Sequence, residues 1–291
     1  ACILDEAQAI KNHTTQKYKA VCQVRSQVRF ALTGTPVENR LGELWSIFSF
    51  LMPGYLPPYK NFCARFEKPI VQEEDANAVR RLNQLTGPFI LRRMKADVLR
   101  ELPPKTENVH RIELDTEQRK LYLAAVVDAR EKLRAAKPED KMAVFAVLMR
   151  LRQICCDPRL VADNWSGGSA KLDACMELVT AAVEGGHRIL LFSQFTSMLD
   201  LLAQRLDEAG VSHFTLQGST PKPVRAERVR RFNAGEASVF LISLRAGGTG
   251  LNLTAADIVI HYDPWWNVAA QNQATDRAYR IGQKNPVQVY K

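Results

Sequence analysis

The chain has 291 residues, of which 46% are hydrophobic and 24% are charged, and it carries a formal net charge of +9. This length favours two domains with a core each, and no apolar run approaches the ~20 residues of a membrane-spanning helix. The composition therefore argues against a membrane-spanning protein. The basic balance favours a polyanionic partner such as nucleic acid, although a basic protein without such a partner fits the charge equally well.

The N-terminal part alternates between strand and helix patterns. Apolar runs at residues 1–4 and 28–32 predict two short strands, separated by a polar helix at about 14–24. The first strand ends in Asp5-Glu6 and the second in Thr33-Gly34-Thr35-Pro36, where the proline favours a turn. This order predicts a strand-helix-strand unit.

Residues 41 to about 160 follow a helical pattern, beginning with Leu44, Ile47 and Phe48. One segment, residues 106–114, alternates between apolar and polar side chains instead, and we expect it to return as a strand to the first sheet. Further helices are predicted at residues 76–85, 93–100, 116–136 and 141–154.

Beyond a Gly-Gly-Ser boundary at residues 167–169, strands and helices alternate again. Apolar strands that alternate with helices predict a parallel sheet covered by helices on both faces. The chain begins and ends within predicted strands, so we expect it to be part of a longer protein. The strands are predicted at residues 188–192, 213–216, 239–242, 258–262 and 286–290, and the helices at 172–183, 197–209, 224–234 and 268–279.

The cysteines and histidines do not follow the spacing of a metal site. There is no Cys-x-x-Cys pair, and the five histidines are scattered. Several cysteines fall in apolar runs, which predicts reduced thiols in the core of a cytoplasmic protein. The six cysteines are Cys2, Cys22, Cys63, Cys155, Cys156 and Cys175.

Asp5 and Glu6 follow a strand at the edge where open α/β sheets bind ligands. In phosphate-loop ATPases a strand-end aspartate helps to hold Mg²⁺, and an adjacent glutamate orients or deprotonates the attacking water. Most Asp-Glu pairs are solvated loop ends, but this pair gains weight from its continuation, Ala7-Gln8. The small and hydroxyl residues at 33–35 would let a ligand approach closely, although a plain strand exit explains them equally well.

Arg277 and Arg280 lie three residues apart in a predicted helix and therefore share a face. Two guanidinium groups on one face suit a phosphate whose charge is redistributed during transfer. Taken alone, a surface helix with salt bridges to Asp276 is the better explanation.

A glycine-rich loop follows the strand at residues 239–242. Gly247, Gly248 and Gly250 can present backbone N–H groups to phosphate. Neither a Gly-x-x-x-x-Gly-Lys-Ser/Thr loop nor a Gly-x-Gly-x-x-Gly fingerprint occurs in the chain. A nucleotide-binding metabolic enzyme that uses this loop is an alternative, but it leaves the arginine pair and the basic charge unexplained.

Taken in order, these segments resemble the motor domain of the SWI/SNF-related class of superfamily-two helicases. The resemblance covers essentially the whole chain. Residues 5–8, Asp-Glu-Ala-Gln, resemble a bacterial variant of the Walker B motif, and residues 31–40 resemble motif III. The other matching segments are residues 44–51, 89–95, 101–105, 151–158, 191–195, 216–220, 246–253, 263–267 and 276–283.

The resemblance implies an α/β fold of two RecA-like lobes with parallel sheets, the first lobe incomplete, and α-helical insertions between them. It implies an ATP-dependent motor that moves along double-stranded DNA without separating the strands, with ATP and Mg²⁺ bound between the lobes. The expected segments are residues 1–44 for the remnant of the first lobe, 45–165 for the insertions and linker with a return strand near 106–114, and 166–291 for the second lobe.

The resemblance also implies roles for single residues. Asp5 would help to hold Mg²⁺, Glu6 would activate water, and Arg277 and Arg280 would contact the phosphates. Residues expected to bind ATP or to couple its hydrolysis to lobe movement are Thr33, Gly34, Thr35, Gly248, Gly250 and Gln273. Residues expected to contact DNA are Ser193, Gln194, Phe195, Gly218, Ser219, Thr220, Asn252 and Trp265. Core packing explains Phe195 and Trp265 equally well.

The phosphate loop with its lysine, which should precede Asp5, is missing, as are the early nucleotide-base and DNA-contacting motifs of the family. We therefore expect a truncated motor that hydrolyses ATP poorly by itself. The alternative is a catalytically inactive DNA-binding or scaffolding module. We expect a monomeric, cytoplasmic protein associated with the bacterial nucleoid, with double-stranded DNA as its partner, no membrane contact, and any protein partner bound through flanking domains. The motifs do not fix the cellular pathway.

Overall fold

The computed structural model describes residues 1–34, 40–93, 95–99, 101–135, 141–247 and 250–291. It divides into two compact units, Ala1–Val98 and Leu99–Lys291. Within those ranges, no helix has the length and apolar character needed to cross a bilayer. The boundaries predicted at residues 44 and 165 follow motif content rather than compactness, and they stay predictions.

The first unit opens with a parallel two-stranded sheet, β1 (Cys2–Leu4) and β2 (Arg29–Ala31). A 3-10 turn (Ala7–Ile10) and α1 (Gln16–Cys22) lie between the strands. The Thr15 side chain accepts a backbone N–H of the first turn of α1 and so caps this helix. The predicted strand-helix-strand unit is confirmed, and because the strands are parallel their carboxyl ends lie at the same edge.

Helices make up the rest of the first unit. They are α2 (Leu41–Leu51), α3 (Tyr59–Phe62), α4 (Lys68–Gln72), α5 (Ala76–Thr86) and α6 (Lys95–Val98), with a π-helical turn (Cys63–Glu67) joining α3 to α4 and a 3-10 turn (Gly87–Phe89) after α5. Apolar residues spaced three or four apart face inward on these helices. They form one core of Leu44, Phe48, Leu56, Phe62, Phe66 and Leu82.

The second unit is built on a six-stranded sheet in which every neighbouring pair is parallel. The strand order is β3-β8-β7-β4-β6-β5. The strands are β3 (Lys105–Asn108), β4 (Ile189–Ser193), β5 (His213–Leu216), β6 (Val239–Ser243), β7 (Ile258–His261) and β8 (Val287–Tyr290). The predicted parallel sheet is therefore confirmed.

Helices lie before, between and after these strands. They are α7 (Thr116–Ala135), α8 (Lys141–Cys156), α9 (Ala170–Glu184), α10 (Thr196–Glu208), α11 (Lys222–Asn233), α12 (Leu244–Gly247) and α13 (Val268–Thr275), with a 3-10 turn (Pro158–Leu160) after α8. The α7 and α8 helices pack against each other, and the later helices pack on the sheet.

Each face of this sheet has its own core, because successive side chains of a strand point to opposite faces. In β4, Leu191 packs with α9 and α10, whereas Leu190 and Phe192 pack on the other face with α11 and α13. All five residues of β4 and of β6 are buried. Burial on both faces explains why the central strands are continuous apolar runs rather than alternating ones.

The prediction that residues 106–114 return to the first sheet is wrong. The strand β3 is shorter, and it pairs in parallel with β8 at the edge of the second sheet. All four of its side chains are exposed, so the backbone ladder rather than apolar packing holds it. Hydrogen bonds from Lys105 and Lys291, with Nζ–O distances of 2.8 and 2.7 Å, lower the pKa of Glu107 to about 2 and fasten this edge.

Replacing Leu241 by alanine should reduce the free energy of unfolding by about 2–5 kcal/mol, because this fully buried side chain of β6 would leave a cavity in the core. Denaturant titration followed by circular dichroism would measure the loss. The matched control is Leu123→Ala on α7, where the leucine is 55% exposed and a change within about 0.5 kcal/mol is expected. Equal losses in the two variants would contradict the assignment of this core.

Candidate nucleotide and nucleic-acid site

The acidic pair lies at the carboxyl edge of the first sheet, immediately after β1. Both side chains are exposed, and Asp5 Oδ1 accepts the Glu6 N–H at 2.8 Å. Glu6 has a φ of +51°, in the left-handed region that non-glycine residues seldom adopt, at a cost on the order of 1–3 kcal/mol. This conformation turns the chain sharply out of β1 and leaves both carboxylates facing solvent.

Gln8 connects this acidic pair to the end of β2. Its amide nitrogen donates to Glu6 Oε2, and its amide oxygen accepts the Thr33 hydroxyl at 2.8 Å. The Ala7 N–H also donates to the Leu32 carbonyl oxygen at 2.9 Å. Sequence reasoning placed Gln8 only within the Walker B resemblance, and its position two residues after Glu6 was the only signal for this contact.

The remaining residues predicted to couple hydrolysis to movement are described only in part. Gly34 is exposed, and a Cβ atom there would meet no atom within 4 Å. Thr35 and Gly248 lie outside the described residues. Gly250 has a φ of +46°, so the loop after β6 uses a left-handed conformation that glycine adopts without strain.

The two predicted phosphate-binding arginines do not share a helix face, and this prediction is wrong. The helix α13 ends at Thr275, so Arg277 and Arg280 lie in the turns that follow. Beyond Thr275 the Arg277 and Ala278 N–H groups donate to carbonyl oxygens three residues earlier, and the Arg277 carbonyl oxygen accepts the Leu253 N–H at 3.0 Å. Arg280 Nη1 donates to the Leu251 carbonyl oxygen at 3.1 Å. Both arginines are therefore tied to the loop after β6.

A buried histidine fixes the end of α13 just before these arginines. His261 Nε2 is 3.0 Å from the Thr275 hydroxyl oxygen, and the imidazole stacks on Phe192 with ring centres 5.7 Å apart. Burial, with a smaller contribution from Lys291, lowers the pKa of His261 to about 4. The ring is therefore neutral at physiological pH and acts as a hydrogen-bonding anchor. Gln273 is half-buried on the same helix.

The predicted DNA-binding residues after β4 face inward. Ser193 and Phe195 are buried, with Phe195 in the core under α9 and α10. The Ser193 hydroxyl oxygen accepts the Phe195 N–H at 3.1 Å. The Gln194 N–H donates to both carboxylate oxygens of Asp263 at 3.2 and 3.1 Å. These residues shape the loop, and their predicted contact with DNA stays a prediction.

Two other predicted DNA-binding segments are accessible. In the turn after β5, Gly218 and Ser219 are exposed, and the half-buried Thr220 accepts the Gln217 N–H with its hydroxyl oxygen at 3.0 Å. Asn252 is also exposed, while its carbonyl oxygen accepts the Asn233 side-chain N–H at 2.8 Å. All of these groups lie in loops that leave the carboxyl edge of the second sheet.

The loop after β7 presents two tryptophans of different exposure. Trp265, which was predicted to contact DNA, is half-buried, whereas its neighbour Trp266 is 53% exposed. Their ring centres are 4.1 Å apart. Trp266 is the more accessible ring, and sequence reasoning missed it because two adjacent tryptophans give no indication of which one faces outward.

Asp263 precedes this pair and is itself buried. Burial raises the pKa of Asp263 to about 6, against the opposing effects of the Ser193 and Gln194 hydrogen bonds and of Lys171 and Arg152. The ordinary pKa of the side chain is 3.8. The folded state holds the proton more tightly than the unfolded state, so the bound proton adds to the free energy of unfolding. This contribution is fully present below pH 3.8 and is lost as the pH rises through 6.

A carboxylate suited to Mg²⁺ exists in the first unit. Asp5 supplies exposed carboxylate oxygens of the kind that this hard cation prefers, and Glu6 lies beside it. Elsewhere in the ranges that the structure describes, no group of three or more His, Cys, Asp or Glu side chains is arranged to hold a metal ion. The donor set at the end of β1 therefore fits a Mg²⁺ ion that is also bound by nucleotide phosphates.

Replacing Asp263 by asparagine should remove the pH dependence that this carboxyl contributes. Between pH 4 and pH 6 the free energy of unfolding of the wild type should fall, relative to that of Asp263→Asn, by up to ~1.4 kcal/mol per pH unit, which corresponds to one proton. Denaturant titrations at several pH values would measure the difference. Parallel curves for the two proteins would show that Asp263 titrates at its ordinary pKa.

Family models match both parts of the chain. The SNF2-related domain matches residues 1–160, and the helicase conserved C-terminal domain matches residues 170–282. Among solved structures, the SWI2/SNF2 ATPase core of Sulfolobus solfataricus in complex with dsDNA is similar, with a TM-score of 0.57 and 35% sequence identity. That match covers 99% of this chain and 62% of the solved chain.

Curated relatives are similar over the same span. An uncharacterized ATP-dependent helicase of Mycoplasma pneumoniae is 41% identical over 99% of this chain. SWI/SNF-related matrix-associated actin-dependent regulator of chromatin subfamily A member 1 of Mus musculus is 37% identical over 99% of this chain. The chain spans 28% and 29% of the lengths of these two relatives. The match of the SNF2-related domain to more than half of the chain shows that the chain belongs to the SNF2-related family of RecA-like helicase ATPases.

Proposed function

We propose that this chain works within an ATP-dependent translocase or remodelling ATPase that moves along double-stranded DNA without separating its strands. The observation that carries the proposal is the hydrogen-bonded connection from Glu6 through Gln8 to Thr33. It joins a solvent-facing acidic pair to the end of the neighbouring strand, as a hydrolytic site coupled to movement requires. The family membership supports ATP as the substrate.

In this proposal Asp5 and Glu6 have different tasks at one strand end. Asp5 would hold Mg²⁺, which neutralises phosphate charge when it is bound with ATP. Glu6 would orient the attacking water and accept its proton, because its carboxylate faces solvent and is held by the Gln8 amide. Thr33, together with Gly34 and Thr35, would sense the state of this site.

The arginines of the second unit would stabilise the charge that develops on the transferred phosphate. Arg280 is held by the loop after β6 through the Leu251 carbonyl oxygen, and Arg277 by its backbone contact with Leu253. The same loop carries Gly250. We assign Gly248 and Gln273 to nucleotide binding because the family resemblance of the sequence implies that role. A loop that holds an arginine and exposes N–H groups suits a polyanion.

Duplex DNA would contact the loops at the carboxyl edge of the second sheet. The accessible groups there are Gly218, Ser219 and Trp266, and we add Trp266 to the predicted set. Asn252, which is also exposed, lies further along the loop after β6, beside the end of α11. The inward-facing Ser193, Gln194 and Phe195 would set the shape of this edge, with Thr220 and Trp265 supporting it. The net charge of +9 and the similarity to a core solved with dsDNA support this partner.

The activity of the chain by itself follows from its motif content. We propose that it binds duplex DNA as a monomer in the cytoplasm and hydrolyses ATP poorly, because no Gly-Lys-Ser or Gly-Lys-Thr sequence is available to hold the phosphates. The competing function is a catalytically inactive DNA-binding or scaffolding module. Turnover in the full-length translation product of the gene distinguishes the two.

The 291-residue chain should bind duplex DNA with an affinity that depends on salt and little on sequence. Phosphate contacts dominate such binding, so the logarithm of the association constant should fall linearly with the logarithm of the salt concentration, by about 0.9 per phosphate contacted. Fluorescence anisotropy with two unrelated labelled duplexes would measure both effects, and the two affinities should agree within about twofold. Binding that is insensitive to salt would overturn the DNA assignment.

In the full-length translation product, Arg280→Ala should lower DNA-stimulated ATP turnover by at least about 10³-fold, because an arginine that contacts the transferred phosphate contributes on this order. DNA affinity should stay within about twofold, since electrostatic contacts with DNA are made by other groups. A coupled phosphate-release assay and anisotropy would supply the two readouts.

The matched control is Arg230→Ala on α11, where the arginine is exposed and paired with Glu227 at 2.7 Å. Turnover of this control should match the wild type, because exposed ion pairs contribute little to stability. Equal loss of turnover and of DNA binding in Arg280→Ala would assign Arg280 a purely structural role instead.

A further inference from the structure

Arg152, near the end of α8, contacts four consecutive residues of the loop after β7. Its Nη2 donates to the Pro264 carbonyl oxygen at 2.8 Å and lies 3.4 Å from the Asp263 carbonyl oxygen. The same nitrogen is 4.0 Å from Asp263 Oδ2. The guanidinium carbon lies 4.9 Å from the ring centre of Trp265 and 4.8 Å from that of Trp266. One side chain therefore contacts the backbone, the buried carboxylate and both indole rings.

The face of α8 that carries Arg152 is fastened to the same loop elsewhere. Phe145, two turns before Arg152, meets the Trp266 ring edge-on with ring centres 6.0 Å apart. One turn after Arg152, the Cys156 carbonyl oxygen accepts the Tyr262 hydroxyl at 2.8 Å. Residues spaced by three, four or seven positions share a helix face, so α8 and the loop are in contact along one stripe.

The Arg152 guanidinium lies against both rings of the tryptophan pair. The two rings are 4.1 Å apart with an angle of 32° between their planes, and the guanidinium carbon is at almost the same distance from each ring centre. A guanidinium group has a planar, rigid set of donors and stacks on aromatic rings, which lets it fix two rings and a carbonyl at once. Trp266 nevertheless stays 53% exposed. The arginine thus orients an aromatic ring that still faces solvent.

We propose that Arg152 is the positioning residue that holds the Trp265–Trp266 pair in its close, tilted arrangement and presents the Trp266 ring to duplex DNA. The first part concerns the free protein alone, and the second rests on the proposed function. Through this contact the α7–α8 helix pair and the DNA-facing loop of the second unit move together. A displacement of α8 would turn Trp266 away from DNA without any change in the loop sequence.

Circular dichroism of the 291-residue chain without DNA tests the first part. Two indoles at this distance and angle couple their electronic transitions and give an exciton couplet in the far ultraviolet. Arg152→Met keeps the length of the side chain but removes the donors and the charge, so the couplet should fall to the level of Trp266→Phe, which has no pair. The matched control is Arg150→Met, because Arg150 lies on the side of α8 that faces α7, and it should keep the couplet.

A fold defect would lower the helical signal of the variant as well. In that case Arg152→Lys takes its place, since lysine keeps the cation and the aliphatic stem but lacks the planar fork, and its couplet should fall to about half of the wild-type amplitude. If the folded Arg152→Met variant shows a couplet of wild-type amplitude, the inference is overturned. Where Arg152→Lys takes its place, the same result in the lysine variant overturns it.

Anisotropy with a labelled duplex tests the second part. The folded variant, Arg152→Met or its lysine replacement, should bind about tenfold more weakly than the wild type, which corresponds to ~1.4 kcal/mol. The salt slope should stay that of the wild type. A slope smaller by about 0.9 would show that Arg152 itself contacts a phosphate, and it would overturn the positioning role in DNA binding. If the wild-type chain does not bind DNA while the Arg152 variant loses the couplet, the proposed function is refuted. The positioning of the tryptophans by Arg152 is then still supported.

Discussion

The parallel pairing of strands in the second unit determines where the loops of the candidate site lie. In a parallel sheet all carboxyl ends meet at one edge, so the loops after β4, β5, β6 and β7 leave the sheet side by side. Apolar cores on both faces keep the central strands fully buried and fix the position of that edge. Buried apolar side chains such as Phe195 and Leu253 anchor parts of these loops, and polar contacts fix the rest of their shapes.

Those contacts come from buried polar groups at both ends of the strands, and Gln283 lies at the amino ends of β7 and β8. Gln283 donates to the Ala256 and Ala278 carbonyl oxygens at 2.7 and 3.2 Å and accepts the Lys284 and Asn285 N–H groups at 2.9 Å each. An unpaired buried polar group costs about 1–3 kcal/mol, so a loop conformation that breaks such a set is disfavoured strongly. Asp263 and His261 work in the same way around β7, and together these groups specify one arrangement of the arginine and tryptophan loops.

The sequence predicted the elements whose own side chains determine them. The buried strands β4, β6 and β7 are apolar runs, and α9, α10 and α11 have helical spacing, so their positions agree with the prediction to within one or two residues. The strand β3 has no apolar pattern, because it lies at an edge and is held by its backbone and by Glu107. The sequence pattern therefore could not assign it to a sheet.

The candidate site was predictable to a similar extent. Motif resemblance pointed to Glu6 and Arg280, since motifs record which residue types recur at a site. The placement of Arg277 and Arg280 after α13 involves contacts with Leu253 and Leu251, which lie more than twenty residues earlier in the chain. The accessibility of Trp266 likewise depends on Arg152, more than a hundred residues earlier in the chain. Tertiary contacts of this kind leave no local signal.

The hydrogen bonds of Gln8 provide a structural basis for the proposed coupling between hydrolysis and movement. A glutamine amide donates with its nitrogen and accepts with its oxygen, and here it does both, towards Glu6 and from Thr33. Any shift of the end of β2 relative to β1 must therefore break one hydrogen bond or move the Glu6 carboxylate. Because Glu6 is already in the left-handed region, its backbone has little freedom to compensate. A change at Thr33 is thus transmitted to the proposed general base through the Gln8 side chain, beside the backbone hydrogen bond from Ala7 to Leu32.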